Sequence, residues 1–224
     1  MTGLPAAEIA TLALLAVAIL DPRGGGLVAG LWRRSRGWAC PVARGLAPPV
    51  GFRLASVVVV LLLVASLAMA VIAGRAQIRP IEMAIAVLLG LALALLSLID
   101  LRQFRLPDRL TLTLLVAGLL QGPEPLAALL AAIACGLAPY LLSQIVARIT
   151  GREGMGAGDA KLMAAMGAWL DIPATAFAVA AAALAGIACT LVLARIRERP
   201  ARLLRLPFGP FLCAAFWLAW ITFR

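Results

Sequence analysis

The sequence lacks histidine altogether, and only ten of its 224 residues are acidic. Its four cysteines are scattered along the chain and form no Cys-x-x-Cys pair. These absences exclude a Cys/His zinc site and any nucleophilic triad that depends on histidine, so we expect no metal centre. Because carboxylates are so few, each one at the edge of an apolar segment needs an explanation.

Apolar residues make up 64% of the chain and the mean hydropathy is +1.05, which excludes an ordinary soluble domain. Lipid-facing backbone must satisfy its own hydrogen bonds, and the alternating strands of a barrel are absent, so the expected fold is all-α. The net charge of +10 is not gathered on a soluble module, which argues against a nucleic-acid partner. We predict a polytopic membrane protein that forms one integral domain, 1–224, in a lipid bilayer.

About eight apolar runs are candidate transmembrane helices. They cover roughly 4–20, 54–73, 80–99, 110–120, 126–149, 160–170, 174–194 and a last run ending at 223. The first run lacks a basic flank, so we expect a membrane helix there rather than a signal peptide. The runs 110–120 and 160–170 would extend only ~17 Å, less than the ~30 Å of hydrocarbon. Each follows an aspartate segment, which suggests that the aspartates lie in a water-accessible dip in the cytoplasmic face.

The distribution of basic residues predicts the orientation. With the amino terminus outside, the cytoplasmic loops are 21–53, 100–109, 148–160 and 195–206. These loops and the residues adjoining them hold all of the 20 Lys and Arg except Arg75, Arg79 and Arg224. The positive-inside rule therefore favours this topology. It makes 21–53 a short basic cytoplasmic loop and puts Asp100 and Asp159 on the cytoplasmic side.

Asp159 stands where a glycine-rich stretch meets a run of good helix formers. The glycines before it are Gly151, Gly154, Gly156 and Gly158. One interpretation of Asp159 is an ordinary N-cap. The other is a reactive carboxylate, which the glycines would allow a substrate backbone to approach closely. A phosphate-binding loop fits less well, because the Gly-Lys-Ser/Thr ending is missing.

Asp100 and Asp108 call for different interpretations. Asp100 ends an apolar run, where the helix dipole opposes a carboxylate, so capping does not explain it. It is either a functional intramembrane acid or the ion-pair partner of Arg102 or Arg105. Asp108 follows Pro107 and opens the next run, so we expect its carboxylate to cap that helix.

Asp100 and Asp159 together offer the one catalytic constellation that we find in this sequence. Two carboxylates held close together do not both ionise readily, and they share a proton. One can then act as general base on water while the other hydrogen-bonds the scissile carbonyl, as in aspartic proteases. A proton-carrying transporter is another use of paired acids, but the glycine loop suits that function less.

Three segments resemble the bacterial type IV prepilin peptidase family, the membrane aspartic proteases of the Gly-x-Gly-Asp class. The block 153–170 is similar to the family's second-aspartate motif nearly position for position, and it contains Gly156, Gly158 and Lys161 beside Asp159. Residues 99–112, with Pro107 and Asp108, resemble the first-aspartate segment. The run Pro207-Phe-Gly-Pro-Phe-Leu212 resembles the C-terminal signature. The similarity covers about 80–215, which we take as the peptidase core.

The resemblance implies an inner-membrane endopeptidase that removes the short basic leader of prepilins or pseudopilins at the cytoplasmic face, with Asp100 and Asp159 as the catalytic pair. Presenilin-like proteases fit less well, because Ile99 replaces their tyrosine. Many members of the family carry a cysteine-rich zinc-binding domain and methylate the new amino terminus with S-adenosylmethionine. Here the matching region is shortened to 21–53, and Asp171 stands where a glycine is usual.

The shortened first loop makes methyl transfer doubtful. We therefore expect no cofactor, with S-adenosylmethionine needed only if methylation is retained. The alternative function is a non-catalytic paralogue that binds or assembles pilin-like helices. The sequence makes no prediction of oligomeric state or of which pilin-like protein is the substrate.

Overall fold

The computed structural model describes residues 80–121, 124–151, 154–196 and 206–223. Throughout these ranges the regular structure is helical, without strands, which confirms the all-α prediction. The helices are α1 (Pro80–Gln103), α2 (Asp108–Gln121), α3 (Pro125–Thr150), α4 (Ala157–Ile196) and α5 (Gly209–Phe223). The predicted spans 4–20 and 54–73 and the loop 21–53 lie outside the described residues.

Three of these helices, α1, α3 and α4, are long and apolar enough to cross a membrane, and α5 is a shorter apolar helix. This agrees with the prediction of a membrane protein. The predicted total of eight spans and the external amino terminus stay predictions. Helix α2 has 14 residues, about 21 Å of helix at 1.5 Å per residue, which is shorter than the hydrocarbon layer of ~30 Å.

Helix α1 continues one turn beyond its predicted end at residue 99. It ends because Phe104 adopts a left-handed conformation (φ 53°) and its N–H donates to the carbonyl of Asp100 at 2.8 Å. This is the hydrogen bond of a left-handed helix stop, with Pro107 following shortly after. Asp100 therefore lies within the last turn of α1 rather than after it.

Helix α3 begins with Pro125 and ends before Gly151. Pro at the first helical position loses no hydrogen bond, because that N–H has no partner within the helix. Gly151 has a φ of 65°, a conformation that glycine adopts without steric cost, and a Cβ there would meet no atom within 4 Å. A glycine is therefore favoured at 151 by the left-handed backbone conformation and not by close packing.

Helix α4 is interrupted at Asp171, whose φ of 74° and ψ of 179° are not helical. The predicted stop at this point is confirmed, and the chain resumes as a second helical segment. The Asp171 Oδ1 accepts the N–H of Ala174 at 3.0 Å, so Asp171 caps the second segment. Residues 157–170 thus form a short segment of their own.

Helix α4 contacts α2, α3 and α5, and its short segment 157–170 is well packed. Its side chains Leu162, Ala165 and Met166 are fully buried. At Gly167 a Cβ would come within 2.6 Å of the Ala131 carbonyl oxygen, so a glycine is needed for α3 and α4 to pack this closely. The helix that carries Asp159 is therefore held on several sides.

Candidate active site

Asp100 points from the last turn of α1 into the protein and is only 4% exposed. Its Oδ2 accepts the backbone N–H of Gly209, the first residue of α5, at 2.9 Å. Arg105, one of the two ion-pair partners considered for Asp100, is exposed instead. Among the described residues, the hydrogen-bond donor to this carboxylate is thus a backbone amide at a helix start. The sequence analysis missed Gly209, although it lies inside the signature Pro207–Leu212.

Asp159 lies in the first turn of α4, but it is not the N-cap. The N–H of Ala160 donates to the carbonyl of Gly156 at 3.3 Å, which makes Gly156 the capping position. The helix starts three residues before the expected Ala160, so Gly158 belongs to the helix and not to the loop. The N-cap interpretation of Asp159 is therefore wrong. Among the described residues its partly buried carboxylate has no hydrogen-bond partner.

The two carboxyl groups that the sequence analysis paired are close in space. The Asp159 carboxyl lies within range of the charge on Asp100. Cys213, on α5, is fully buried near Ser97 and lies within electrostatic range of both aspartates. Paired acids at a partly buried site can share a proton and divide the roles of acid and base. That they do so in this protein stays a prediction.

Lys161 and Asp108 join the two aspartate segments at the surface. The Lys161 Nζ lies 2.6 Å from the Asp108 Oδ1, with side chains 39% and 61% exposed. The expectation that Asp108 caps α2 is wrong. The carbonyl of Pro107 accepts the N–H of Thr111, so Pro107 is at the cap and Asp108 is the first residue inside the helix. An ion pair this exposed stabilises by about 0–1 kcal/mol.

Gly158 fits tightly against the segment that links α1 to α2. A Cβ at Gly158 would come within 3.2 Å of the Leu106 Cβ, tighter than an ordinary contact. At Gly156 the nearest atom to an added Cβ would be the Asp159 Oδ2, at an ordinary 3.6 Å. Of the two motif glycines, Gly158 is therefore the more tightly packed, whereas the described residues leave room for a side chain at Gly156.

Two polar side chains of α3 hold the glycine loop, and the sequence analysis missed both. Ser143 Oγ accepts the N–H of Met155 at 2.5 Å, and Gln144 Nε2 donates to the Met155 carbonyl at 3.3 Å. A Cβ at Gly154 would lie only 3.1–3.2 Å from these two polar atoms. Both residues are polar side chains in an apolar helix, where an unpaired polar group is energetically unfavourable. Their presence in the sequence could therefore have predicted hydrogen-bond partners.

No group of three or more His, Cys, Asp or Glu that could hold a metal ion occurs within the described ranges. The arrangement of Asp100 and Asp159 can carry out acid–base chemistry on water with protein groups alone.

Comparison with known proteins relates this chain to one family. Residues 87–191 match the family described as "Type IV leader peptidase family". A protein of Aeromonas hydrophila named "Prepilin leader peptidase/N-methyltransferase" is 35% identical over 199 residues, which cover 86% of this chain and 64% of the relative. The same name belongs to relatives from Aeromonas salmonicida (strain A449), 40% identical over 139 residues, and Burkholderia pseudomallei (strain 1026b), 45% identical over 138 residues.

These alignments cover only part of the relatives. They span 60% of this chain and 47% of the Aeromonas salmonicida protein, and 56% of this chain and 42% of the Burkholderia pseudomallei protein. The chain thus spans about half the length of the curated relatives that it matches. No solved structure matches it significantly.

Proposed function

This chain belongs to the type IV leader peptidase family through residues 87–191, and from that membership we propose that it is a membrane aspartic endopeptidase. Its substrates would be prepilins or pseudopilins, cut where the short basic leader ends, at the cytoplasmic face. The relatives' name, prepilin leader peptidase/N-methyltransferase, supports the substrate class. The observation that carries the proposal is the convergence of Asp100 and Asp159 from separate helices.

In the proposed reaction one carboxylate takes a proton from water, whose oxygen attacks the scissile carbonyl carbon. The partner carboxyl donates its proton to the carbonyl oxygen, which gives a tetrahedral diol. When the C–N bond breaks, the departing amine takes the proton that the first carboxylate removed from water, and the diol returns one proton to the partner carboxylate as it becomes a carboxylic acid. The Gly209 N–H already donates to the Asp100 Oδ2. The Asp159 carboxylate accepts no hydrogen bond from the described residues and can therefore bind water.

The proposal includes a bacterial inner-membrane location, about eight spans and an external amino terminus. Three helices of spanning length support a membrane protein, and the basic residues of the predicted cytoplasmic loops support the orientation. Arg152→Cys in an otherwise cysteine-free chain tests the topology. A membrane-impermeant thiol reagent should label it only after the cytoplasmic face is opened. Strong labelling from the periplasmic side would contradict the orientation.

We propose that cleavage uses no cofactor. The relatives' name also includes a methyltransferase, whose methyl donor would be S-adenosylmethionine. Two cavities among the described residues do not fit that cation. One is lined by Ser143 and Thr150 among apolar residues and glycine, the other by Ala, Phe and Leu218 with one Thr, and neither presents a carboxylate. We therefore derive no methyl-transfer step from the described residues.

Co-expression with a candidate prepilin tests the function. The mature amino terminus is read by mass spectrometry, with a strain that lacks this chain as the control. We expect a pilin shortened by its leader, with a free new amino terminus. An uncleaved prepilin that still copurifies with this chain would instead support the non-catalytic, pilin-binding alternative. A fully methylated terminus, in a host with no other such enzyme, would contradict the expectation of weak or absent methyl transfer.

A further inference from the structure

The first turn of α5 has one backbone amide available for a partner outside the helix. The carbonyl of Phe208 accepts the N–H of Phe211 at 3.1 Å and that of Leu212 at 3.2 Å. Pro210 has no N–H to donate. The remaining amide, that of Gly209, donates to the Asp100 Oδ2 at 2.9 Å. The usual surplus of donors at a helix start is thus reduced to one, and it is directed at Asp100.

Gly209 is required here for space and not for its backbone conformation. Among the described glycines only Gly151 has a positive φ, so Gly209 adopts a backbone that any residue could share. A Cβ at Gly209 would, however, lie 2.5 Å from the Asp100 Oδ2 and 2.9 Å from its Cγ. Real Cβ atoms essentially never come that close to another heavy atom. A side chain at this position would have to displace the carboxylate or the helix.

The electrostatics of the two helix ends favour the same pairing. Asp100 lies in the last turn of α1, where the helix dipole is unfavourable for a carboxylate. Gly209 is the first residue of α5, where the dipole favours an anion. Direct contact between the two ends therefore offsets the unfavourable position of Asp100. At 4% exposure, this carboxylate is hardly stabilised by solvent.

We propose that Gly209 is a positioning residue for Asp100: its amide fixes one carboxylate oxygen and its missing side chain leaves room for that carboxylate. This inference rests on the proposed peptidase function. Fixing Oδ2 leaves Oδ1 as the atom for proton exchange with water, substrate or Asp159. Gly209 itself touches no reacting atom, so it should act on kcat and on the pH profile and leave substrate binding alone.

Gly209→Ala is the first test, with Gly186→Ala as its matched control. A Cβ at Gly186 would come no closer than 3.9 Å to the rings of Phe208 and Phe211, an ordinary contact. At matched membrane levels we expect Gly209→Ala to lose about 100-fold in kcat with KM unchanged, the scale for displacing a catalytic group by about 1 Å. Gly186→Ala should cleave a prepilin peptide like the wild type.

A second variant removes the amide without adding atoms. Glycolic acid at 209, introduced by nonsense suppression in cell-free translation into nanodiscs, replaces the N–H with an ester oxygen. The control is the corresponding ester at Phe211, whose N–H bonds only to Phe208. We expect the ester at 209 to lower kcat by about 10- to 100-fold, the scale for a hydrogen bond to a charged group. It should also change the pH profile of kcat, whereas the control should not.

The outcomes separate this inference from the function on which it rests. A wild-type chain that cleaves no prepilin would refute the proposed function. A cleaving wild type, with the ester at 209 matching the ester at 211 in kcat and pH profile, would refute the role of Gly209. If Gly209→Ala fails to insert, the two esters decide the question. A rise in KM with unchanged kcat would also contradict a positioning role.

Discussion

The helix break at Asp171 should be a site of strain that glycine relieves. Its φ of 74° and ψ of 179° fall in a region that is essentially restricted to glycine, at a cost of about 1–3 kcal/mol for other residues. Against this, Asp171 accepts the Ala174 N–H at 3.0 Å and caps the second segment of α4. Glycine replaces such a cap at a cost of only a few tenths of a kcal/mol.

The net effect of Asp171→Gly can be worked out from these values. Relief of strain contributes about 1–3 kcal/mol. The weaker cap costs a few tenths and the greater freedom of the unfolded chain about 0.4–1 kcal/mol. We therefore expect a stabilisation of about 0–2 kcal/mol. A chain of this size shifts by about 2–4 °C in Tm for each kcal/mol.

Two further substitutions at Asp171 serve as controls. Asp171→Ala keeps the strain and loses the cap, so it should be less stable by about 0.5–2 kcal/mol. Asp171→Asn keeps both strain and cap and should melt near the wild type. The assay is thermal unfolding of the purified chain in one detergent. If Asp171→Gly melts below Asp171→Ala, the strain argument fails. Cleavage should be unchanged, since Asp159 lies about 18 Å away along the helix.

The remaining predictions concern the candidate site. Asp100→Asn and Asp159→Asn should each abolish peptide cleavage in protein that still inserts, because an amide cannot take a proton from water. The double variant should cleave no less than either single variant. Asp108→Asn should keep most activity, and a double-mutant cycle with Lys161→Met should give a coupling below about 1 kcal/mol in thermal unfolding. Ser143→Ala should cost about 0.5–1.5 kcal/mol and lower cleavage, because the glycine loop loses an anchor.

Each of these predictions has an outcome that contradicts it. Near wild-type cleavage by either aspartate variant would remove that residue from the active site. If Asp108→Asn is inactive while Asp100→Asn is active, Asp108 is the catalytic partner and the pairing is wrong. For the loop, Ser143→Thr keeps a hydroxyl and should restore cleavage. Equal losses in the Ala and Thr variants would show that the hydroxyl is not what matters.

Features that depend on local apolar pattern could be predicted from the sequence. The long runs became α1, α3 and α4, and the segment with Asp171 and Pro173 does interrupt α4. A continuous apolar stretch is stable both against lipid and in a protein core, so composition alone locates such helices. The sequence also predicts the pairing of Asp100 with Asp159, because the chain offers few other acids at helix edges. In the structure the two carboxyl groups lie within electrostatic range of each other.

Contacts between distant segments could not be predicted in this way. The N-cap assignments of Asp108 and Asp159 fit local preference, yet both residues lie inside their helices, with Pro107 and Gly156 at the caps. Local preference favoured a helix start after the last glycine. In the structure Gly158 is instead helical and packs against Leu106, where an added Cβ would be tighter than an ordinary contact. Tertiary packing here overrides the intrinsic tendency of glycine to leave a helix.

Three glycines of this protein illustrate why a motif does not reveal its own physical cause. Gly151 is needed for a left-handed φ, with open space around it. Gly158 and Gly209 have no such backbone requirement, and each leaves room for one neighbour, Leu106 or the Asp100 carboxylate. In the sequence, the immediate neighbours of these three glycines do not reveal which requirement each one meets. Because the neighbour of Gly209 is a candidate catalytic acid, a methyl group added there tests chemistry, whereas one added at Gly158 tests packing.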